Sequence, residues 1–98
     1  MSKMPPRDHI SAVLSEVLRE IQTISGHSCP PIVGGMKPLG GELEGFDSLL
    51  AVEATVAVEA KLGRSLKSDN LFVEDGQPLT INQTIAKIER LLTSEGQP

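Results

Sequence analysis

Two short stretches of this chain carry residue types that do chemistry: His27-x-Cys29, and the run Gly45-Phe46-Asp47-Ser48-Leu49. The second closes a glycine-rich segment and opens a stretch of helical character, 48–62. The first N–H groups of a helix have no intrahelical partner, and the dipole is positive at that end. A serine placed there can seat a phosphate-linked group. It can also cap the helix, or act as a catalytic nucleophile, so three chemistries stand open at Ser48.

The nucleophile needs the most support from its surroundings. Gly-x-Asp-Ser-Leu is similar to the Gly-Asp-Ser-Leu motif of a serine-hydrolase family, but Phe46 interrupts it. A hydrolytic serine sits on a strand-to-helix turn beside a base and an oxyanion hole. No strand is expected anywhere in this chain, and both histidines, His9 and His27, precede the serine. His27-x-Cys29 has the look of a pair of metal ligands, but no second pair follows at ligand spacing. It reads as a loop histidine and a loop thiol with no site role, and no metal site is expected.

The elements that must position Ser48 follow from periodicity. Ile10, Val13, Leu14, Val17, Leu18, Ile21 and Ile24 recur at helical spacing, with Glu16, Arg19 and Glu20 between them, so a first helix is expected over about 8–25, stopped by Gly26. Residues 26–47 hold Gly26, Pro30, Pro31, Gly34, Gly35, Pro38, Gly40, Gly41 and Gly45, a density that excludes a regular element. Ile32, Val33, Met36, Leu39 and Leu43 within it are apolar, so parts of the loop are expected to pack on the helices, while its glycines leave few buried contacts and more motion than in the helices. A second helix is expected over 48–62, ended by Gly63. Ser68-Asp69 can cap a short third helix running to Val73, ahead of the breakers Gly76 and Pro78. Thr80-Ile81-Asn82-Gln83 reads as a capping box, with Thr at the N-cap and Gln at N3. Ile81, Ile85, Ile88 and Leu92 continue it as a fourth helix, about 80–93, followed by a frayed polar tail. Lys87 and Arg90 fall near its end, where cations suit the dipole. The expected fold is all-α, a small four-helix bundle in one domain, with a long loop between helices one and two.

Composition narrows the function classes. Only two of the 98 residues are aromatic, both Phe, so the core must be aliphatic. A chain of this length buries roughly two-thirds of its unfolded surface, enough for one core without a deep catalytic cleft. The net charge of −4 gives no electrostatic footprint for nucleic acid and suits basic protein partners instead. One cysteine excludes an internal disulfide, as in a reducing compartment. No apolar run reaches the roughly 18 residues of a membrane span. The start of the chain lacks the apolar region of a signal peptide. A cytoplasmic monomer that neither inserts into membranes nor binds nucleic acid is expected.

Helix two repays a closer look as a wheel. With Leu49 at zero, Glu53 falls at about +40° and Glu59 at about −80°. Leu49, Val52, Val56 and Ala60 lie beside them, and Ala51, Ala54, Val58 and Leu62 occupy the natural core face. The helix is apolar on two sides, which means burial or engagement with something else. Leu49, Val52 and Val56 either pack under the long loop or form an exposed docking stripe rimmed by Glu53 and Glu59. Glu42 and Glu44, ahead of the serine, either add to a local negative surface or are merely solvated.

Asp47-Ser48-Leu49, opening a helix after a Gly-rich loop, resembles the attachment motif of the acyl carrier proteins and related phosphopantetheine carriers. Leu39-Gly40-Gly41 is similar to the glycine turns upstream of that serine in the family, and the resemblance spans about residues 8–93. It implies that a phosphopantetheinyl transferase moves phosphopantetheine from coenzyme A onto Ser48, with Asp47 assisting the transferase's approach. It implies no catalytic residue in the chain itself, which is the substrate of enzymes. The arm would carry acyl intermediates as thioesters to acyl-transferring and acyl-modifying enzymes of fatty-acid, polyketide or related lipid synthesis. Leu49, Val52, Glu53, Val56 and Glu59 would match the family's partner-recognition face. Ala60 and Lys61 stand where many fatty-acid carriers have further acids, and Leu50 where a polar residue is frequent. An aminoacyl or peptidyl carrier of a nonribosomal-type pathway is the alternative, and a helical interaction module without a prosthetic group is another.

Overall fold

The structure is a computed structural model and describes residues 5–95. The frayed tail expected at the end of the chain lies, beyond Glu95, outside the described residues. Helix α1 spans Arg7–Ile24, α2 Ser48–Leu62 and α3 Ile81–Glu95. Each boundary has a chemical cause. At the end of α1, His27 N–H donates to the Gln22 carbonyl and Gly26 N–H to Thr23, with Gly26 at φ +77°. This is the paired Schellman arrangement, which needs a left-handed residue after the helix. It recurs at the end of α2, where Arg64 N–H donates to Glu59 and Gly63 N–H to Ala60, with Gly63 at φ +68°. At the start of α3 the capping box is complete. Gln83 N–H donates to Thr80 Oγ1 (3.0 Å) and Thr80 N–H to Gln83 Oε1 (2.8 Å).

The expectation of an all-α four-helix bundle is corrected in the segment between α2 and α3. The molecule is mainly helical, with three α-helices and one two-stranded antiparallel sheet among the described residues. The short third helix over 68–73 does not form, because the backbone groups it would pair internally are bound elsewhere. Leu71 N–H donates to Thr55 Oγ1 of α2 (3.0 Å), and Phe72 N–H to the Asn70 side chain (2.8 Å). Lys87 Nζ of α3 donates to the carbonyls of Asn70 (3.1 Å) and Val73 (2.8 Å). Strands β1 (Val73–Glu74) and β2 (Gln77–Pro78) follow at once, in the register Val73↔Pro78 and Glu74↔Gln77. Asp75 (φ +52°) and Gly76 (φ +77°) form the two-residue turn, the backbone sign that matches the twist of a tight hairpin.

The core is aliphatic. Ile10, Val13, Leu14, Val17 and Leu18 come from α1, Ala51, Ala54 and Val58 from α2, and Ile81, Ile85, Ile88 and Leu92 from α3. The two phenylalanines pack edge to face, Phe46 ahead of α2 and Phe72 ahead of β1, with ring centroids 5.5 Å apart. Two members of the predicted apolar faces change places with polar residues. On α1, Ile24 is 84% exposed while Gln22, one turn beyond Leu18, is fully buried. On α2, Leu62 is only half-buried while Thr55 is buried, its hydroxyl donating to Ala51 O (2.9 Å) and accepting from Leu71.

The long loop is anchored to a degree its glycines do not suggest. Met36, Leu43 and Phe46 join the core. The carbonyls of Gly34 and Met36 accept the first-turn N–H groups of Asn82 (2.9 Å) and Ile81 (2.8 Å), closing the start of α3. The loop also contains one turn of 3₁₀ helix at Pro38–Gly40, where no regular element was expected. The premise that it has few buried contacts is therefore corrected. Lys87 and Arg90 also change role, since α3 continues to Glu95. Lys87 sits mid-helix and clamps the 70–73 segment, while Arg90 pairs with Glu74 (2.9 Å).

Candidate functional site

The start of α2 is built by the five residues before it and by the end of α1. Gln22 Nε2 donates to the carbonyls of Ser28 (3.0 Å) and Glu44 (2.8 Å), so one buried amide joins the two ends of the long loop. The Glu44 carboxylate accepts from Ser28 Oγ (3.2 Å) and Ser28 N–H (3.4 Å). Glu42 accepts from Lys37 N–H (2.7 Å). Both acids that were read as free surface charge are thus staples within the loop. Gly45 follows at φ +67°, with the His27 ring seated where a Cβ would project. This placement brings His27 next to the residues that lead into α2. Phe46 then turns into the core.

Asp47 is the N-cap of α2. Its backbone is extended (φ −124°, ψ −176°), and its side chain accepts the Leu50 N–H at 3.0 Å. Ala51 N–H donates to the Asp47 carbonyl (2.9 Å). A capping oxygen of this kind removes one of the unpaired donors at a helix start. Ser48 is the first helical residue. It is exposed, and its hydroxyl makes no hydrogen bond to any described residue, His27 included. Capping therefore falls to Asp47, and the Ser48 hydroxyl is left with no structural duty. It lies beside the remaining unpaired N–H groups and the positive end of a 15-residue helix.

The rest of α2 divides into two faces. Ala51, Ala54, Thr55 and Val58 are buried. Leu49 (67% exposed), Val52 (40%) and Val56 (59%) form an apolar strip running from Ser48 along the solvent side. The alternative in which the long loop covers these three residues does not hold. Glu53 beside them is exposed. Glu59, expected as the second rim acid, is half-buried and accepts the Leu66 N–H at 2.7 Å, so its carboxylate is committed within the chain. Lys61 reaches back to α1, 3.4 Å from Glu16 and 3.6 Å from Glu20. Its positive charge is answered by its own helix partner.

The described residues contain no cluster of three or more His, Cys, Asp or Glu side chains able to hold a metal. Cys29 is half-buried against the core. No helix of the described residues is long and apolar enough to cross a membrane.

Sequence reasoning located Asp47, Ser48 and the outer strip, and missed Gln22, His27, Glu44 and Thr55. For Gln22 and Thr55 a signal existed. Each is polar at a position where helical spacing from Leu18 or Ala51 points inward, and a polar side chain there must have a partner. For His27 and Glu44 the pairing is made through space between the two ends of a loop, which spacing does not reveal. No protein-family model matches this chain, and no curated protein or solved structure does so either.

Proposed function

We propose that this protein is a carrier of the acyl carrier type, bearing phosphopantetheine covalently on Ser48. The observation that carries the reading is the division of labour at the start of α2. Asp47 caps the helix, which leaves an exposed Ser48 hydroxyl unengaged beside the phosphate-favouring helix end. In the attachment step the Ser48 oxygen forms a bond to the phosphorus next to pantetheine in coenzyme A. The bond from that phosphorus to the bridging oxygen breaks, and adenosine 3′,5′-bisphosphate leaves. The hydroxyl proton passes to a base of the transferase. When bound, the arm supplies a terminal thiol that holds an acyl group as a thioester, on a tether that raises its effective concentration at an enzyme docked nearby.

The residues around Ser48 fit that task. Asp47 fixes the turn and keeps a carboxylate beside the serine for the approaching transferase. Leu49, Val52 and Val56, with Glu53 alongside, offer an apolar strip with an acidic edge to enzymes carrying basic rims. Glu59 contributes less to that edge, since its carboxylate is bound to Leu66. The partners are a phosphopantetheinyl transferase and acyl-transferring and acyl-modifying enzymes, met by a monomer in the cytoplasm. The cargo is an acyl intermediate of fatty-acid, polyketide or related lipid synthesis.

The test is intact mass. Incubation with coenzyme A, a divalent metal ion and a phosphopantetheinyl transferase should add the mass of one arm to the wild type and nothing to Ser48→Ala. A wild type that stays at its unmodified mass with a panel of transferases overturns the reading and leaves a helical interaction module.

A further inference from the structure

Four consecutive residues ahead of Ser48 are each held by a different contact, and the contacts of the first two come from α1 and its cap. The Glu44 carbonyl is bound by Gln22 and its carboxylate by Ser28. Gly45 is backed by the His27 ring. Phe46 is buried against Phe72. Asp47 is tied to the first turn of α2. Gln22 is fully buried, and a glutamine in a core register would be replaceable by a methionine or leucine if its only duty were to fill space. Both of its N–H groups are spent on carbonyls of the loop ends. Two buried polar atoms in this node remain unpartnered among the described residues, Gln22 Oε1 and His27 Nδ1. One is an acceptor, and the other becomes a donor when the ring proton sits on it.

We propose that Gln22 and His27 are positioning residues for Ser48. They set the Glu44–Asp47 turn from the end of α1, so that the serine hydroxyl is presented outward at a fixed angle. This rests on the carrier reading for what Ser48 does, but the geometric half stands without it. Gln22 acts on the carbonyl of Glu44, and the His27 ring packs on Gly45 in the space a Cβ would need. Neither touches the reacting atoms. Misplacement of a reacting group by an ångström far from the chemistry is enough to slow a step markedly.

Three variants test this: Gln22→Met, which keeps the volume and removes both donors; His27→Ala; and Leu92→Ala, a core truncation in α3 that leaves the 44–47 contacts intact. Two readouts are taken at a temperature where all three remain folded by circular dichroism. The first is amide exchange at Leu50 and Ala51, the two N–H groups that Asp47 holds. It should accelerate several-fold in Gln22→Met and His27→Ala relative to Ala54, and not in Leu92→Ala. The second is the rate of arm transfer to Ser48, where kcat should fall about tenfold or more in the first two variants while KM changes little, and neither should change in Leu92→Ala. Unchanged Leu50 and Ala51 exchange in Gln22→Met and His27→Ala overturns the proposal. So does an equal loss of kcat in Leu92→Ala, which would make the effect one of global stability. If the wild type accepts no arm, the carrier reading falls and the exchange measurement alone decides this one.

Discussion

The two faces of α2 are built in the opposite order of size from an ordinary amphipathic helix. Inside are Ala51, Ala54, Thr55 and Val58; outside are Leu49, Val52 and Val56. The small residues allow α1 to approach closely, as tight helix packing requires. The larger aliphatics stand outside that core and keep much of their surface in water, which forfeits part of the roughly 1.5–3 kcal/mol that full burial of each would give. On the carrier reading, folding and docking are separable on this helix, and substitutions on its two sides should fail in different ways.

The largest stability effect should come from the inner face. Ala54→Leu forces a large side chain against α1 and should cost about 1–3 kcal/mol, read as a lowered urea midpoint with an unchanged slope. A neutral result would mean that the inner face has room and that the contrast between the faces is overstated. Thr55→Val keeps the shape and leaves the Leu71 N–H without its acceptor, for a loss of about 1–2 kcal/mol and faster exchange at Leu71. Asp47→Ala sits where the faces meet. It should cost about 1 kcal/mol of stability through the lost cap and also slow arm transfer, the one substitution expected to show on both scales. On the outer face, Val56→Ser or Val52→Ser should change stability by no more than about 0.5 kcal/mol. Their effect should appear instead as a raised KM for a partner enzyme at unchanged Tm. A clear fall in Tm for Val56→Ser would place that strip in the folding core after all.

Much of this was legible in the sequence because its causes are local. The helix ends at Gly26 and Gly63 follow from the left-handed residue that a Schellman arrangement needs, and the capping box at Thr80 is spelled out within four residues. The bounds of α2, with Asp47 and Ser48 at its start, follow in the same way. The failures have a common physical cause. Residues 68–73 carry a reasonable helix-capping signal, but Thr55 and Lys87 take their backbone groups from outside the segment, and local propensity loses to tertiary hydrogen bonds. The hairpin was in fact signalled by Asp75-Gly76, the strongest short turn pair, and the breakers were read only as an end to the preceding helix. Packing of the loop was legible in its apolar residues, since Met36 and Leu43 are buried and Ile32 and Leu39 pack against the core, though Val33 is exposed; its glycine content speaks only to backbone freedom and hid how many contacts these residues make. At the candidate site, the serine at the start of α2 was legible, while the contacts that Gln22 and His27 make with Glu44 and Gly45 were not.

The two ends of α2 are fastened to α1 by bonds that respond differently to ionic strength. Lys61 meets Glu16 and Glu20 across water-exposed ion pairs, which dissolved salt weakens within a Debye length of about 10 Å at 0.1 M. The other end hangs from an uncharged amide bonded to carbonyls in the interior, which salt scarcely reaches. Raising the salt should therefore loosen the far end of the helix from its neighbour while the end bearing Ser48 keeps its place. In an ion-rich solution the molecule would flex at the far end of α2 rather than at the end that bears Ser48.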